Sequence, residues 1–200
     1  EIDACVRPGT PISDAGSTKQ SIVDHWEQRR SSRTGRFVGS HPLAGSHRRG
    51  PQAADPTLFE GKLTVLTPVE STPKVDTEAI SAFWQQIGAQ ACLLSPSDHD
   101  QLLASASHAP HIVAAALATA TPREAHRFTA AGWRDTTRIA AGDPDLWADI
   151  LLDNAKAITA QIEKFTEVSD QLRHAIEEGD RSTLIKLLTL AKESRDALGS

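Results

Sequence analysis

Cysteine is scarce in this chain: Cys5 and Cys92 are the only two thiols among 200 residues. So few, so far apart, make a disulfide framework unlikely and fit a reducing, cytoplasmic setting. Long apolar runs are missing as well. No window approaches the roughly 18 apolar residues of a membrane span, and Glu1-Ile-Asp-Ala-Cys-Val-Arg7 lacks the layout of a secretory signal. Neither a membrane partner nor export is therefore expected. Positive charge is in deficit, with 21 basic against 26 acidic side chains and a formal net charge of -5. That balance argues against a nucleic-acid partner. The one arginine-rich stretch, Arg29-Arg30-Ser-Ser-Arg33 with Arg36, is short and serine-rich and reads as a solvated loop. Finally, the chain holds no strand–GxGxxG–helix segment followed about 20 residues later by an acidic residue, the arrangement that holds a dinucleotide.

What is present suffices for a real core. At 39% hydrophobic over 200 residues, the chain is long enough for one large domain or two small ones. Short β-like runs at Thr10–Asp14, Arg36–Gly39, Lys62–Thr67 and Gln90–Leu94 alternate with helical patterns at Ser17–Gln28 and Asp76–Gly88. Strands separated by helices predict parallel α/β construction. In the second helix Ile80, Phe83, Trp84 and Ile87 recur at helical spacing, and Gly88 is placed for a C-cap. After Pro96 the character changes. Gln101–Ala120 is alanine-rich and helical by propensity; Pro144–Glu178 and Asp180–Leu198 read as long helices split by Gly179-Asp180. The expected organisation is α/β over residues 1–95 and all-α over 96–200. The small side chains of Ala114–Ala118 suit close helix packing, at a subunit interface or within a monomer.

Chemistry-bearing residues concentrate in a few runs. Ala131-Gly132-Trp133-Arg134-Asp135-Thr136-Thr137-Arg138 brings two arginines, an aspartate and two hydroxyls together. Guanidinium forks match carboxylates bidentately, so the run is a candidate anion site; a helix start with a salt bridge is the other reading. Other runs are Asp14-Ala-Gly-Ser-Thr-Lys19, His41-Pro-Leu-Ala-Gly-Ser46, His99-Asp100, Ser107-His-Ala-Pro-His111 and Asp143-Pro-Asp-Leu-Trp147. The spacing of His108 and His111, with His99 nearby, raises a metal site, but no paired cysteines or HExxH accompany it, and none is expected.

In this order and over nearly the whole length, these runs resemble the prephenate/arogenate dehydrogenase family of tyrosine biosynthesis. The resemblance implies the rear part of a Rossmann-like nucleotide-binding domain followed by an α-helical dimerisation domain, working as a homodimer. The family's glycine fingerprint lies ahead of the region matched, so this polypeptide by itself is expected to bind cofactor weakly. The implied reaction is oxidative decarboxylation of prephenate, or of arogenate, with NAD or NADP as hydride acceptor; the other reading, with the nucleotide-binding half incomplete, is a non-catalytic dimeric helical module that binds aromatic acids or a partner. His41 then matches the catalytic base and Ser17 the serine that hydrogen-bonds both His41 and the substrate hydroxyl; a loop histidine and an N-cap serine are the plain alternatives. A neutral imidazole near pKa 6.5 suits the base. His111, Arg138, Trp147 and Gly132 match substrate-binding positions, with Trp147 reaching over from the neighbouring subunit in family members. His99, Asp100, Arg134, Asp135 and His108 match supporting positions, Arg134 and Asp135 as ion pairs and His108 as a backbone contact at a helix start. Asp14, Gly16, Ser17 and Pro42 fall beside the cofactor. Three positions depart from the family: Ala131 replaces a glycine, Trp133 a phenylalanine, and His47 a frequent glutamate. His47-Arg48-Arg49 is basic and favours a dianionic substrate, prephenate, over one bearing an ammonium group.

Overall fold

The computed structural model describes residues 6–7, 9–29, 36–45 and 50–199. Cys5, Arg30 to Arg33 and the basic His47-Arg48-Arg49 run lie outside these residues. The described chain forms two compact units, 1–158 and 159–200.

The first unit is built on a four-stranded sheet in sequential order: β1 (Pro11–Ser13), β2 (Arg36–Pro42), β3 (Leu63–Thr67) and β4 (Gln90–Leu93). Helix α1 (Gln20–Arg29) connects β1 to β2, and α2 (Lys74–Gln86) connects β3 to β4. Both connected pairs are parallel, as a helical crossover requires. The middle pair is not. β2 and β3 run antiparallel, with His41 opposite Val65. The all-parallel expectation is corrected here: between β2 and β3 the described residues hold only a three-residue helical turn, Pro51–Ala53, and a chain without a crossover helix returns antiparallel. Val38, Leu66, Trp84 and Ala89 form the buried core, with Ile80 and Ile87 of the predicted apolar face packed on it. Gly88 follows the last turn of α2 at φ +88°, where a side chain would be strained and would also strike Glu60.

From residue 96 onward every described regular element is helical. Ser95 caps α3, its hydroxyl accepting the Asp98 N–H at 3.0 Å. This helix starts earlier than the alanine-rich pattern suggests. It runs Pro96–Leu103, passes through a π turn at Ala104–His108, and continues Ala109–Ala120. Its 25 residues, with a mean hydropathy of 1.2 in the best window, reach a bilayer-spanning length, contrary to the expectation from apolar runs. Its inward face, however, carries His99, Asp100, His108 and His111, each at most 6% exposed. Three of these are hydrogen-bonded to other elements, which marks a core helix. Next come α4 (Ala131–Thr137), a 3-10 turn (Arg138–Ala141) and α5 (Pro144–Asp153). The long helix expected over 144–178 is broken at Asn154, after which α6 runs Ala155–Glu177. α7 (Arg181–Asp196) completes the second unit, capped by Asp180, which accepts the Ser182 and Thr183 N–H groups.

Candidate active site

His41 lies near the end of β2, where the strand alternation and the β3 pairing hold its backbone. Its Nδ1 is 2.8 Å from Nε2 of His99 on α3, a residue 58 positions away. His99 Nδ1 in turn lies 2.7 Å from Asp100 Oδ1. The Asp100 carboxylate also accepts the Lys19 N–H at 2.8 Å and the Gln20 N–H at 2.9 Å, capping α1 from across the fold. Its backbone carbonyl accepts Asn154 Nδ2 at 2.8 Å, and the same amide group lies 3.2 Å from His108 Nδ1. His108 meets Trp147 edge-on, and Trp147 stacks on His111 with ring centroids 3.5 Å apart. A continuous polar and aromatic chain thus runs His41–His99–Asp100–Asn154–His108–Trp147–His111, all within the first unit.

Trp147 stacks on His111 within the chain. Gly142 makes that contact possible, because a Cβ there would sit 2.5 Å from Trp147 Nε1 and 3.0 Å from His111 Cε1. His108 sits in a π turn inside α3 and faces a side-chain amide, not the backbone of a helix start. π turns re-aim side chains within a helix. Ser17 is not the cap of α1, since Asp100 fills that role, and no hydrogen bond joins it to His41. Within the same turn Gly16 N–H donates to Asp14 at 2.8 Å, and the Lys19 and Gln20 N–H groups donate to Asp100. Asp14 is likewise engaged internally, accepting from Gly16, from Ser40 N–H at 2.9 Å and from Lys19 Nζ. Pro42 is the last residue of β2, one position beyond His41.

The arginine run is exposed. Gly132, Arg134 and Asp135 lie on the solvent side of α4, and Arg138 opens the 3-10 turn after it. Neither Arg134 nor Asp135 forms an ion pair among the described residues. Adjacent residues on a helix point about 100° apart, which keeps this pair from meeting. A Cβ at Gly132 would meet nothing within 4 Å. Trp133 packs inward, its Nε1 donating to Thr121 Oγ1 at 3.0 Å.

Two residues that carry the site escaped the sequence reading. Lys19 is fully buried and ion-paired with Asp14; a lysine at a helix start ordinarily reads as solvated. Asn154 ties α5 to α3, and nothing in an uninterrupted helical pattern distinguishes it.

Electrostatics keep His41 neutral. Burial, then the repulsion of His99, Lys19 and His108, push its pKa down to about 3, far below the expected 6.5. Burial lowers His108 and His111 too. Between pH 3 and 6.5 the unfolded chain binds a proton at His41 that the folded chain refuses, so stability rises with pH through that window and is lost on acidification. Going from pH 7 to pH 5 is expected to cost about 2 kcal/mol from His41 alone. Urea unfolding at the two pH values measures it; His41→Gln should remove about that difference, and equal pH dependence in both proteins would refute the assignment.

Comparison with known proteins agrees with this architecture. Residues 1–93 match the family described as prephenate dehydrogenase, nucleotide-binding domain, and residues 95–190 match prephenate dehydrogenase, dimerization domain. The chain is 39% identical over 193 residues to a prephenate dehydrogenase of Bacillus subtilis, covering 94% of this chain and 52% of that relative. It is 35% identical over 196 residues to a cyclohexadienyl dehydrogenase of Zymomonas mobilis, covering 94% and 66%. It thus spans between half and two thirds of the length of these relatives. The crystal structure of the Aquifex aeolicus prephenate dehydrogenase in complex with hydroxyphenyl propionate and NAD+ superposes with a TM-score of 0.82 at 32% identity, over 94% of this chain and 67% of that one. A Synechocystis arogenate dehydrogenase gives 0.79 at 30% identity, over 93% and 68%. A mixed sheet joined to a helical region, a histidine chain between them and matches of this extent make one conclusion plain: the chain belongs to the prephenate dehydrogenase family.

Proposed function

We propose that the enzyme containing these residues oxidatively decarboxylates prephenate to 4-hydroxyphenylpyruvate in tyrosine biosynthesis, in the cytoplasm. The observation that carries the reading is His41, buried and neutral, held through Nδ1 so that Nε2 remains for a substrate hydroxyl. NAD or NADP, when bound, takes the hydride from the carbon bearing that hydroxyl. His41 takes the hydroxyl proton as the hydride leaves, and the ring carboxylate departs as carbon dioxide when the ring aromatises. Ser17 hydrogen-bonds the same hydroxyl. His111, whose Nδ1 is buried with no partner among the described residues, contacts the substrate beside Trp147 and Gly132, and Arg138 grips a carboxylate. Asp14, Gly16, Ser17 and Pro42 border the cofactor. The organisation proposed is a nucleotide-binding region over 1–95 and a substrate-binding, dimerising region over 96–200.

Turnover tests this directly. Incubation with prephenate and NAD+ or NADP+ should yield 4-hydroxyphenylpyruvate, carbon dioxide and reduced nicotinamide in equal amounts. Arogenate turned over in preference would favour the second reading, for which the arogenate dehydrogenase match is the support.

A homodimer is part of the proposal. In the second unit Phe165, Val168, Ile176, Ile185, Leu188 and Leu190 are all exposed along α6 and α7. Apolar side chains in that number on one helical pair suit burial against a second copy. Light scattering at micromolar concentration should give twice the chain mass of 21.5 kDa; a monomeric mass would overturn this.

A further inference from the structure

We infer that His99 and Asp100 are positioning residues that set the tautomer of His41, placing its ring proton on Nδ1 and leaving the Nε2 lone pair free. The inference rests on the reading of His41 as the base, and it concerns how that base is prepared.

The argument starts at Asp100, where every acceptor is used. Oδ1 takes the Lys19 N–H and Oδ2 the Gln20 N–H, while the backbone carbonyl takes Asn154 Nδ2. The carboxylate is thus held by the two N–H groups at the start of α1, and the backbone beneath it by Asn154. Burial acts to raise its pKa, but the His99 ring and the Gln20 and Lys19 N–H groups outweigh that and hold it below the ordinary carboxylate range. An ionised carboxylate only accepts. At 2.7 Å, His99 Nδ1 must therefore be the donor. In a neutral ring, a proton on Nδ1 leaves Nε2 an acceptor. His99 Nε2 faces His41 Nδ1 at 2.8 Å, so His41 must donate from Nδ1. The proton order is then fixed along the whole chain: His41 Nδ1–H to His99 Nε2, and His99 Nδ1–H to Asp100 Oδ1. His41 Nε2 is the one ring nitrogen left with a lone pair for the substrate. An unheld imidazole in water divides between its two tautomers; here a helix cap, read through one intervening ring, selects one.

Two measurements test this. The first needs no cofactor. In this chain labelled with 15N-histidine, long-range proton–nitrogen correlations distinguish a protonated ring nitrogen from one bearing a lone pair, and His41→Asn identifies the His41 signals. The expected pattern at neutral pH is a protonated Nδ1 and a lone-pair Nε2 on His41. Asp100→Ala should abolish this preference, because His99 Nδ1 then has no carboxylate to donate to and neither ring is held in one tautomer. The opposite pattern in the wild type, or an unchanged pattern in Asp100→Ala, would overturn the inference.

The second is kinetic and uses a pair at one position, so that a folding defect cannot imitate the result. His99→Gln can place a carbonyl oxygen where Nε2 stood and still accept from His41; His99→Asn is too short to do so. In the NAD(P)+-supplied enzyme His99→Asn should lower kcat by about ten- to a thousand-fold with KM near wild type, a large part of what a general base contributes. His99→Gln should recover most of that loss. Equal loss in both, or no loss in either, would sink the tautomer assignment while leaving His41 as the base. If instead His41→Asn retained normal kcat, the base reading itself would fail, whatever the nitrogen correlations gave.

Discussion

His41→Asn is expected to lower kcat by about 100- to 10,000-fold, the usual contribution of a positioned general base. KM for prephenate should change little. The imidazole acts on the hydroxyl as the hydride leaves, so its loss falls on the transition state and not on ground-state binding. Asparagine is close in shape to the near half of the ring, and its amide nitrogen can stand where Nδ1 does. The contact with His99 Nε2 can therefore persist while the distal Nε2 lone pair disappears. Arg138→Gln makes the contrasting case. Arg138 is exposed at the start of the 3-10 turn after α4 and forms no ion pair among the described residues. It is free to take up a substrate carboxylate present in ground and transition state alike. Losing one charge-assisted contact of about 1.5–3 kcal/mol should raise KM by a factor of order ten to several hundred. Steady-state kinetics of the two variants separate the roles. Near-normal kcat in His41→Asn at saturating prephenate would remove His41 as the base, and an unchanged KM in Arg138→Gln would make the arginine run structural.

The largest expected stability effect lies at Asp14, which accepts the N–H of Ser40 beside His41. Its carboxylate holds three donors, among them the ammonium of Lys19, which is 0% exposed. Burial lowers the Lys19 pKa despite the opposing pull of Asp14, with Asp100 and Asp153 adding weaker attraction. Asp14→Asn keeps the shape and removes the charge that compensates Lys19. Removing one partner of a buried pair typically costs 3–5 kcal/mol, and the two remaining carboxylates put this case near the lower end, about 3 kcal/mol. For a domain stable by about 5–15 kcal/mol that is a large fraction. Lys19→Met should cost less, about 1–2 kcal/mol, because it removes the buried charge itself while Asp14 keeps two N–H donors and is partly solvated. Urea unfolding of both variants at neutral pH gives the comparison. A Lys19→Met loss equal to or greater than that of Asp14→Asn would show that the pair is not controlled by desolvation of the ammonium.

Much of the local structure follows from the sequence alone. All four strands and the helices after β1 and β3 fall within a few residues of their expected bounds, because alternation and helical spacing of apolar side chains are local properties. Gly88 was legible for the same reason: a helix end needs a left-handed residue, and only glycine adopts that conformation without strain. The histidines and aspartates of the site could be named because their runs resemble those of a known family. Tertiary structure decided their partners. Nothing within the stretch around His41 specifies that its ring meets His99, 58 residues on, or that Asp100 caps a helix 80 residues behind it. Those contacts depend on the antiparallel return of β3, on the π turn that re-aims α3, and on the break at Asn154 that brings an amide to Asp100 and His108. Each is set by how elements pack, and periodicity reports which face of an element is buried without saying against what. The buried charge of Lys19 belongs to the same class, since a lysine becomes a desolvated cation only when distant elements close over it. The sequence therefore determined the elements and the chemistry available to them; packing determined which groups lost their water, and so which of them became neutral, paired or oriented.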